Sequence, residues 1–261
     1  MWNETSCTKS GIISKNVHFP TKLADVIYSG SHIGNANPIF KSSRAKCTKV
    51  SDFDAVDATL ISSSYLQRMN YSPNLLLPEY HQLIIETPWG NKYTDNFRVV
   101  GRRMLDLKGA KTVQAAIIPP YTSHLNSIHG WAFRDSKLMV LFAGLMESNV
   151  YDFFIKIEGK DNLYDDNTNF LPLHETIYSN AIRIRALRLN CLTDNYSKLW
   201  SKVWNDEYKK DEWSLKDSRL IDSYAVLSPD YRPEFAFRSD YERRMALVEL
   251  DVLAAMSIGL T

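Results

Sequence analysis

The sequence predicts an α+β fold, with a β-rich N-terminal portion followed by a helical C-terminal portion. Three observations predict it. Up to about residue 135 the apolar residues come in short runs broken by turn signals. Beyond residue 135 they recur every three or four positions. No internal repeat or low-complexity tract makes either half a solenoid or a tail. With 261 residues, 44% hydrophobic and 23% charged, the chain has the material for a substantial core.

The elements follow in order. Val17–Phe19, His81–Glu86 (HQLIIE), Phe97–Val100 and Val113–Ile118 read as strands. Ser29-Gly30, Asn37-Pro38, Ser72-Pro73-Asn74, Pro88-Trp89-Gly90-Asn91 and Pro119-Pro120 read as turns. Ser136 opens a helix through Leu138, Leu141, Phe142 and Leu145, which Ser148-Asn149 interrupts. A second helix, Val150 to Ile157, ends at Gly159, a left-handed cap, before the polar turn KDNLYDDNTN. Further helices are expected within Ile182–Leu192 and over Asp194–Glu207. In the latter, Tyr196, Trp200 and Trp204 form one stripe that packs a core rather than stacking on bases. The last helix opens on the capping box Ser239-Asp240-Tyr241-Glu242 and runs through Met245, Val248, Val252 and Met256 to Gly259. The expected division is a recognition domain over 1–175 and a helical scaffold or docking region over 176–261.

Composition narrows the function classes. The longest strongly apolar stretch, Leu138 to Met146, is far below the ~20 residues a membrane span needs. MWNETSCTKSG carries no signal-peptide pattern. Cys7, Cys47 and Cys191 are scattered and odd in number, which fits reduced thiols in a cytoplasm, and no His or Cys pair has zinc spacing. Both chain ends read as cuts in a longer polypeptide.

The net charge is only +1, but it alternates in blocks. Residues 1–50 hold Lys9, Lys15, Lys22, Lys41, Arg44, Lys46 and Lys49 against Glu4 and Asp25. Residues 91–135 hold Lys92, Arg98, Arg102, Arg103, Lys108, Lys111 and Arg134 against Asp95, Asp106 and Asp135. Segments 51–90 and 136–176 are acidic. Two basic segments far apart in sequence suggest one surface that faces a polyanion; a solvated surface with chance clustering gives the same count. Within the second block, AAIIPPYTSHLNSIHG (115–130) passes from a buried-looking strand to a loop of uncharged donors and acceptors.

Motifs for catalysis are weak. Asn37-Pro38-Ile39-Phe40 approaches the Asn-Pro-Pro-aromatic signature of amino-methyltransferases, but Ile39 replaces the second proline and no glycine-rich turn precedes it, so a turn is the better account. Glu158-Gly159-Lys160 with Asp152 approaches a metal-dependent nuclease site, but both acids read as belonging to one helix. There is no Gly-x-Ser-x-Gly elbow and no phosphate loop.

The run NFRVVGRRMLDLKGAKTVQAAIIPPYTSHLNSI (96–128) resembles a segment of fused type II restriction–modification enzymes, which carry an adenine-specific DNA methyltransferase and, after it, a target recognition domain. GLMESNVYDFFIKIEGKDNLYDDNTNFLPL (144–173) continues the likeness, and specificity subunits of type I systems show a looser version. RALRLNCLTDNYSKLW (185–200) and ERRMALVELDVLAAMSIGLT (242–261) resemble the closing helical region, while TKLADVIYSGSHIGNANPIFKSSRAKC (21–47) and SYLQRMNYSP (64–73) resemble its entry. Ser31 and Gln67 depart from the pattern, since proline is usual at both places.

The resemblance implies a sequence-specific module for double-stranded DNA. It would place the duplex for adenine methylation or cleavage by methyltransferase and nuclease domains that this sequence lacks. No cofactor is then expected here; AdoMet and Mg²⁺ would belong to the catalytic parts. Base edges would be read by Arg98, Arg102 and Arg103 and by the loop residues Ser123, His124, Asn126 and Ser127. Lys41, Arg44, Lys46 and Lys111 would meet phosphates, and Lys160, Asn162 and Tyr164 would add contacts from the polar turn. For each arginine the ordinary alternative is an ion pair, with Asp95 or Asp106 at hand. The competing reading is a docking domain that holds the methyltransferase by the Trp200/Trp204 face and the last helix. A third is a nuclease using Asp152 and Glu158.

Overall fold

A strand covered on both faces needs partners for all its backbone groups, and residues 98–102 find them on either side. The computed structural model describes residues 1–220 and 224–260; Thr261, which ends the last block of resemblance, lies outside the described residues. Along the chain come α1 (Glu4–Lys9), β1 (Ile13–Ser14), β2 (Ile27–Tyr28), β3 (Lys41–Ser43), β4 (Phe53–Ala55), β5 (Ser72–Pro73), α2 (Leu77–Gln82), β6 (Arg98–Arg102), β7 (Ala115–Ile118), β8 (Ser123–His124), β9 (Ile128–Ala132), α3 (Ser136–Glu147), α4 (Asn149–Ile157), α5 (Ser179–Asn190), α6 (Ser197–Val203) and α7 (Asp240–Ser257). The fold is α+β, as expected.

The centre is an antiparallel sheet in the order β7-β6-β9, with Arg98 opposite Ile118 on one side and Ala132 on the other. Side chains alternate across it. Val99, Ala115 and Ile117 face a large core made with α3 to α7. Val100, Ala116, Ile118 and Ile128 face a smaller core with Val26, Tyr28, Ile33 and Met69. Burial on both faces explains why Ala115–Ile118 is an unbroken apolar run. The outer edge of β7 is closed by side chains: the Asn190 carbonyl accepts from Ile117 N at 2.8 Å, and the Tyr196 hydroxyl donates to Ile117 O at 2.8 Å.

The large core contains residues from both sides of position 175, so packing runs through the expected division. A Cβ on Gly144 of α3 would lie 2.6 Å from Ile182 Cγ2 of α5, so glycine permits this close helix approach. α3 and α4 meet at a 72° bend, and no single helix among the described residues is long and apolar enough to cross a membrane.

Several elements differ from expectation. HQLIIE is not a strand: Pro78 starts α2 in its first turn, and of the two isoleucines Ile84 is buried and Ile85 exposed. Val17–Phe19 contributes one bridge, His18 to Met69. Asp135, not Ser136, caps α3, its carboxylate accepting from Lys137 N at 2.7 Å. The helix expected over 194–207 is split into a 3₁₀ turn, α6 and a second 3₁₀ turn, because Asn205 caps the latter by accepting from Glu207 N. The Ser148 break, the Gly159 left-handed turn (φ 66°) and the Ser239–Glu242 capping box are all present.

Candidate functional site

The loop after Pro119-Pro120 does not project into solvent. Ser123 and His124 form β8, which pairs in parallel with β2, far away in sequence. Ser123 N donates to Val26 O and Leu125 N to Tyr28 O, both at 2.9 Å, and Trp2 N donates to His124 O at 3.1 Å. This pairing buries Thr122, Ser123, His124 and Leu125. The Ser123 hydroxyl meets the Tyr80 hydroxyl at 2.7 Å. Burial, followed by the positive charges of the N-terminal amine and Arg98, pushes the His124 imidazole well below its usual pKa. Ser123 and His124 therefore do not reach a groove edge.

Arg98 is the second correction. It shares a strand face with Arg102, as its spacing predicts, but that face at Arg98 is interior and the side chain is fully buried. Its Nη2 donates to Thr122 O at 2.6 Å and Oγ1 at 3.0 Å, and the guanidinium lies 4.7 Å from the Tyr93 ring centre. Lys111 is the third. Its ammonium donates to Glu147 O at 3.0 Å and Ser148 O at 2.5 Å, which ties it to the α3–α4 bend, and burial lowers its pKa to about 8. These groups organise the interior.

Of the remaining candidates, Arg102 and Ser127 line a cleft of about 350 Å³. Lys15, Ser29, Gly30, Ser31, Thr48, Lys49 and Phe53 line it from the first basic segment and the β3–β4 hairpin. Arg102, Met104, Leu125 and Ser127 line it from the second segment, and Asn70 and Tyr71 close it. Residues from both basic segments thus share one concavity beside the end of the 121–129 loop. The Arg102 Nε donates to Ile33 O at 2.7 Å, and its guanidinium lies 5.5 Å from the Phe40 ring centre, while the Lys41 ammonium sits 5.2 Å from the same ring. Phe40 itself fits because Gly34 lacks a Cβ, which would come within 2.7 Å of the ring. Ser127 Oγ accepts from Gly30 N at 3.1 Å, and Asn126 Oδ1 accepts from Glu4 N at 3.2 Å.

Arg103 follows β6 and leans along the surface. It donates to Asn126 O at 3.3 Å and to the Tyr164 hydroxyl, with its guanidinium 4.9 Å from the Tyr164 ring centre. The 160–164 turn is held there because Asn162 bridges Met104 and Leu163 N donates to Arg103 O at 2.7 Å. Arg44, Lys46 and Lys49 surround an open depression on the tip of the hairpin. Arg44 is paired with Asp54 at 2.7 Å, Lys160 with Asp166 at 2.8 Å, and Lys46 is exposed. Arg103, Asn126 and Tyr164 are therefore neighbours, with Asn162 and Ser127 beside them; Arg102 and Lys41 share the Phe40 ring, and Arg44 and Lys46 lie at the hairpin tip.

The weaker motifs take structural roles. Asn37 Oδ1 accepts from Ile39 N at 3.0 Å, a side-chain-supported turn, with Ile39 buried. Asp152 is buried and accepts from Thr112 N at 3.1 Å and Val113 N at 2.5 Å. Glu158 accepts from Asn167 Nδ2 at 2.9 Å. Among the described residues, no group of three or more His, Cys, Asp or Glu side chains could hold a metal ion. Trp200 is fully buried, stacked 5.6 Å from Phe235, so it packs the core.

Sequence reasoning did not single out Lys15, Lys49, Met104 or Asn70 as cleft residues. Lys15 and Lys49 lay in the basic block, but Asn70 carries no local signal. No family model, curated protein or solved structure matches this chain.

Proposed function

We propose that this chain is a sequence-specific recognition module for double-stranded DNA, of the kind found in restriction–modification enzymes, acting in the cytoplasm for methyltransferase and nuclease domains of the same protein. The observation that supports this reading is the cleft lined jointly by the two basic segments, with Lys15 and Lys49 from the first and Arg102 and Ser127 from the second, and the Arg44/Lys46 hairpin tip adjoining Lys49. Cations from separate segments on one concave face suit a phosphate backbone, and Arg103 and Asn126 beside it suit base edges. AdoMet and Mg²⁺ would be held by the catalytic domains. Fluorescence anisotropy with random-sequence and site-containing duplexes tests the reading. Affinity is expected to fall with salt at a slope of about −0.9 per phosphate contacted. Salt-insensitive binding, or none at low salt in the full enzyme, overturns it.

One observation favours docking as a second reading, on a different face from the tryptophans. Val248, Val252 and Met256, four apart on α7, are each at least 40% exposed and form an unpartnered apolar stripe. Val252→Lys is expected to leave DNA affinity unchanged. Loss of contact with the catalytic domains in that variant, with wild-type DNA binding, would assign this face to docking.

A further inference from the structure

His129 of β9 and Asp165, in the short 3₁₀ turn Asp165–Asn167, meet beside Arg103. The His129 Nε2 lies 2.9 Å from the Asp165 carboxylate. The imidazole stands edge-on to Trp131 and to Tyr164, with ring centres 4.8 and 6.3 Å away, and Tyr164 is the ring on which Arg103 rests. The segment that carries Tyr164 and Asp165 is pinned. Leu163 is fully buried, Leu163 N donates to Arg103 O at 2.7 Å, and Leu105 N donates to Asp161 O at 3.0 Å. Asn167 Oδ1 then accepts from Tyr164 N at 2.6 Å.

An ionised carboxylate can only accept. In the neutral imidazole it therefore keeps the proton on Nε2 and leaves the lone pair on Nδ1. That Nδ1 makes no hydrogen bond among the described residues and is not sealed from solvent; the side chain is 21% exposed. Asp165 itself is 72% exposed. A carboxylate here weakens attraction for a polyanion, but fixing the imidazole gives the surface an uncharged acceptor of set direction.

We infer that His129 is a base-reading residue: its Nδ1 accepts a hydrogen bond from the exocyclic amino group of an adenine or a cytosine in the major groove, and Asp165 is its positioning residue. The inference rests on the DNA reading above and names the class of base read beside Arg103. In the major groove only adenine N6 and cytosine N4 offer amino donors, while guanine and thymine present acceptors at the matching places.

Selection from a pool of random duplexes first gives the bound sequence. Each adenine in it is then replaced by purine and each cytosine by pyrimidin-2-one, which removes the amino group alone. Binding is measured at about pH 8, where ordinary imidazoles are neutral. The wild type is expected to lose about fivefold in affinity at one position. His129→Phe keeps the ring contacts and removes the acceptor. In it the loss is expected to vanish at that position and to persist at any other; using the same duplexes for both proteins cancels the change in pairing strength. A sensitive adenine identifies N6 as the donor, and a sensitive cytosine identifies N4. Asp165→Ala is expected to bind random-sequence duplex more tightly at low salt while discriminating less, two changes that a merely structural carboxylate would not produce together. Loss at no position in the wild type overturns the inference and needs no variant. So does a loss that both His129→Phe and Asp165→Ala leave intact. Either result, with salt-dependent duplex binding in place, leaves the DNA reading standing. A wild type that binds no duplex at low salt overturns both.

Discussion

Replacing Asp152 by alanine separates a structural carboxylate from a catalytic one. Asp152 is 4% exposed, and its two oxygens accept from the backbone N–H groups of Thr112 and Val113, themselves buried. Those bonds hold the approach to β7 against the α3–α4 bend, beside the contacts from Lys111 to Glu147 O and Ser148 O. Alanine leaves both N–H groups buried without partners. Each unmade bond costs about 1–3 kcal/mol, so a loss of roughly 3 kcal/mol is expected once partial hydration is allowed for. For a chain of this size that is a fall of about 6–12 °C in thermal midpoint. Asp152→Asn keeps one acceptor and is expected to lose about half as much. Urea unfolding of the three proteins measures this. A loss below about 1 kcal/mol in Asp152→Ala would refute the reasoning. Mg²⁺-dependent cleavage by the wild type that disappears in a fully stable Asp152→Ala would return Asp152 to the nuclease reading.

Other predictions follow from the same geometry. Arg103→Ala is expected to weaken DNA binding and reduce the salt slope by about one without changing urea stability, whereas Arg98→Met changes stability and leaves the slope alone; anisotropy and urea titrations on both variants check this, and the opposite pattern would exchange their roles. Burial raises the Glu147 carboxyl to about 8, so the folded state retains a proton that the unfolded chain has lost above its ordinary value near 4.5. Its contribution is present below that value and is lost as pH rises, up to about 1.4 kcal/mol per pH unit. His32, lowered to about 4, and His124, lowered further, act in the opposite direction below about 6.5, and within roughly pH 6.5 to 8 the N-terminal amine and Lys111, both lowered by burial, also oppose Glu147, so the difference between the wild type and a Glu147 variant carries the assignment. Glu147→Gln, which keeps an acceptor for Asn190, is expected to remove the falling contribution from the urea midpoint across that window, and an unchanged slope would exclude Glu147 as its source. Gly144→Leu is expected to lower stability by several kcal/mol, because its side chain must displace Ile182; a near-neutral urea midpoint would show that α3 and α5 part easily.

The sequence by itself determined the elements whose signals are local. Three- and four-residue spacing and the caps at Ser148 and Gly159 marked α3 and α4, the capping box at Ser239 marked the start of α7, and the apolar run at 115–118 marked β7; the spacing misjudged the face of α7, whose Val248, Val252 and Met256 are exposed while Ala246, Leu250 and Ala254 are buried. The same local grammar misread HQLIIE, where Pro78 and a single buried isoleucine outweighed the apparent alternation. The polar loop at 121–129 was the larger departure. Uncharged donors and acceptors suit a solvent-facing loop and a buried one equally, and what decides is whether the backbone finds a partner. That partner, Ile27–Tyr28, is nearly a hundred residues away, so no local pattern announces it. Arg98 fails for the same reason: strand alternation gives its face, but only the layer packed over that face decides whether the face is wet. Charge blocks showed in the sequence that two basic segments exist; only the tertiary structure brought them to one cleft, because chain folding and not sequence distance sets which side chains share a cavity.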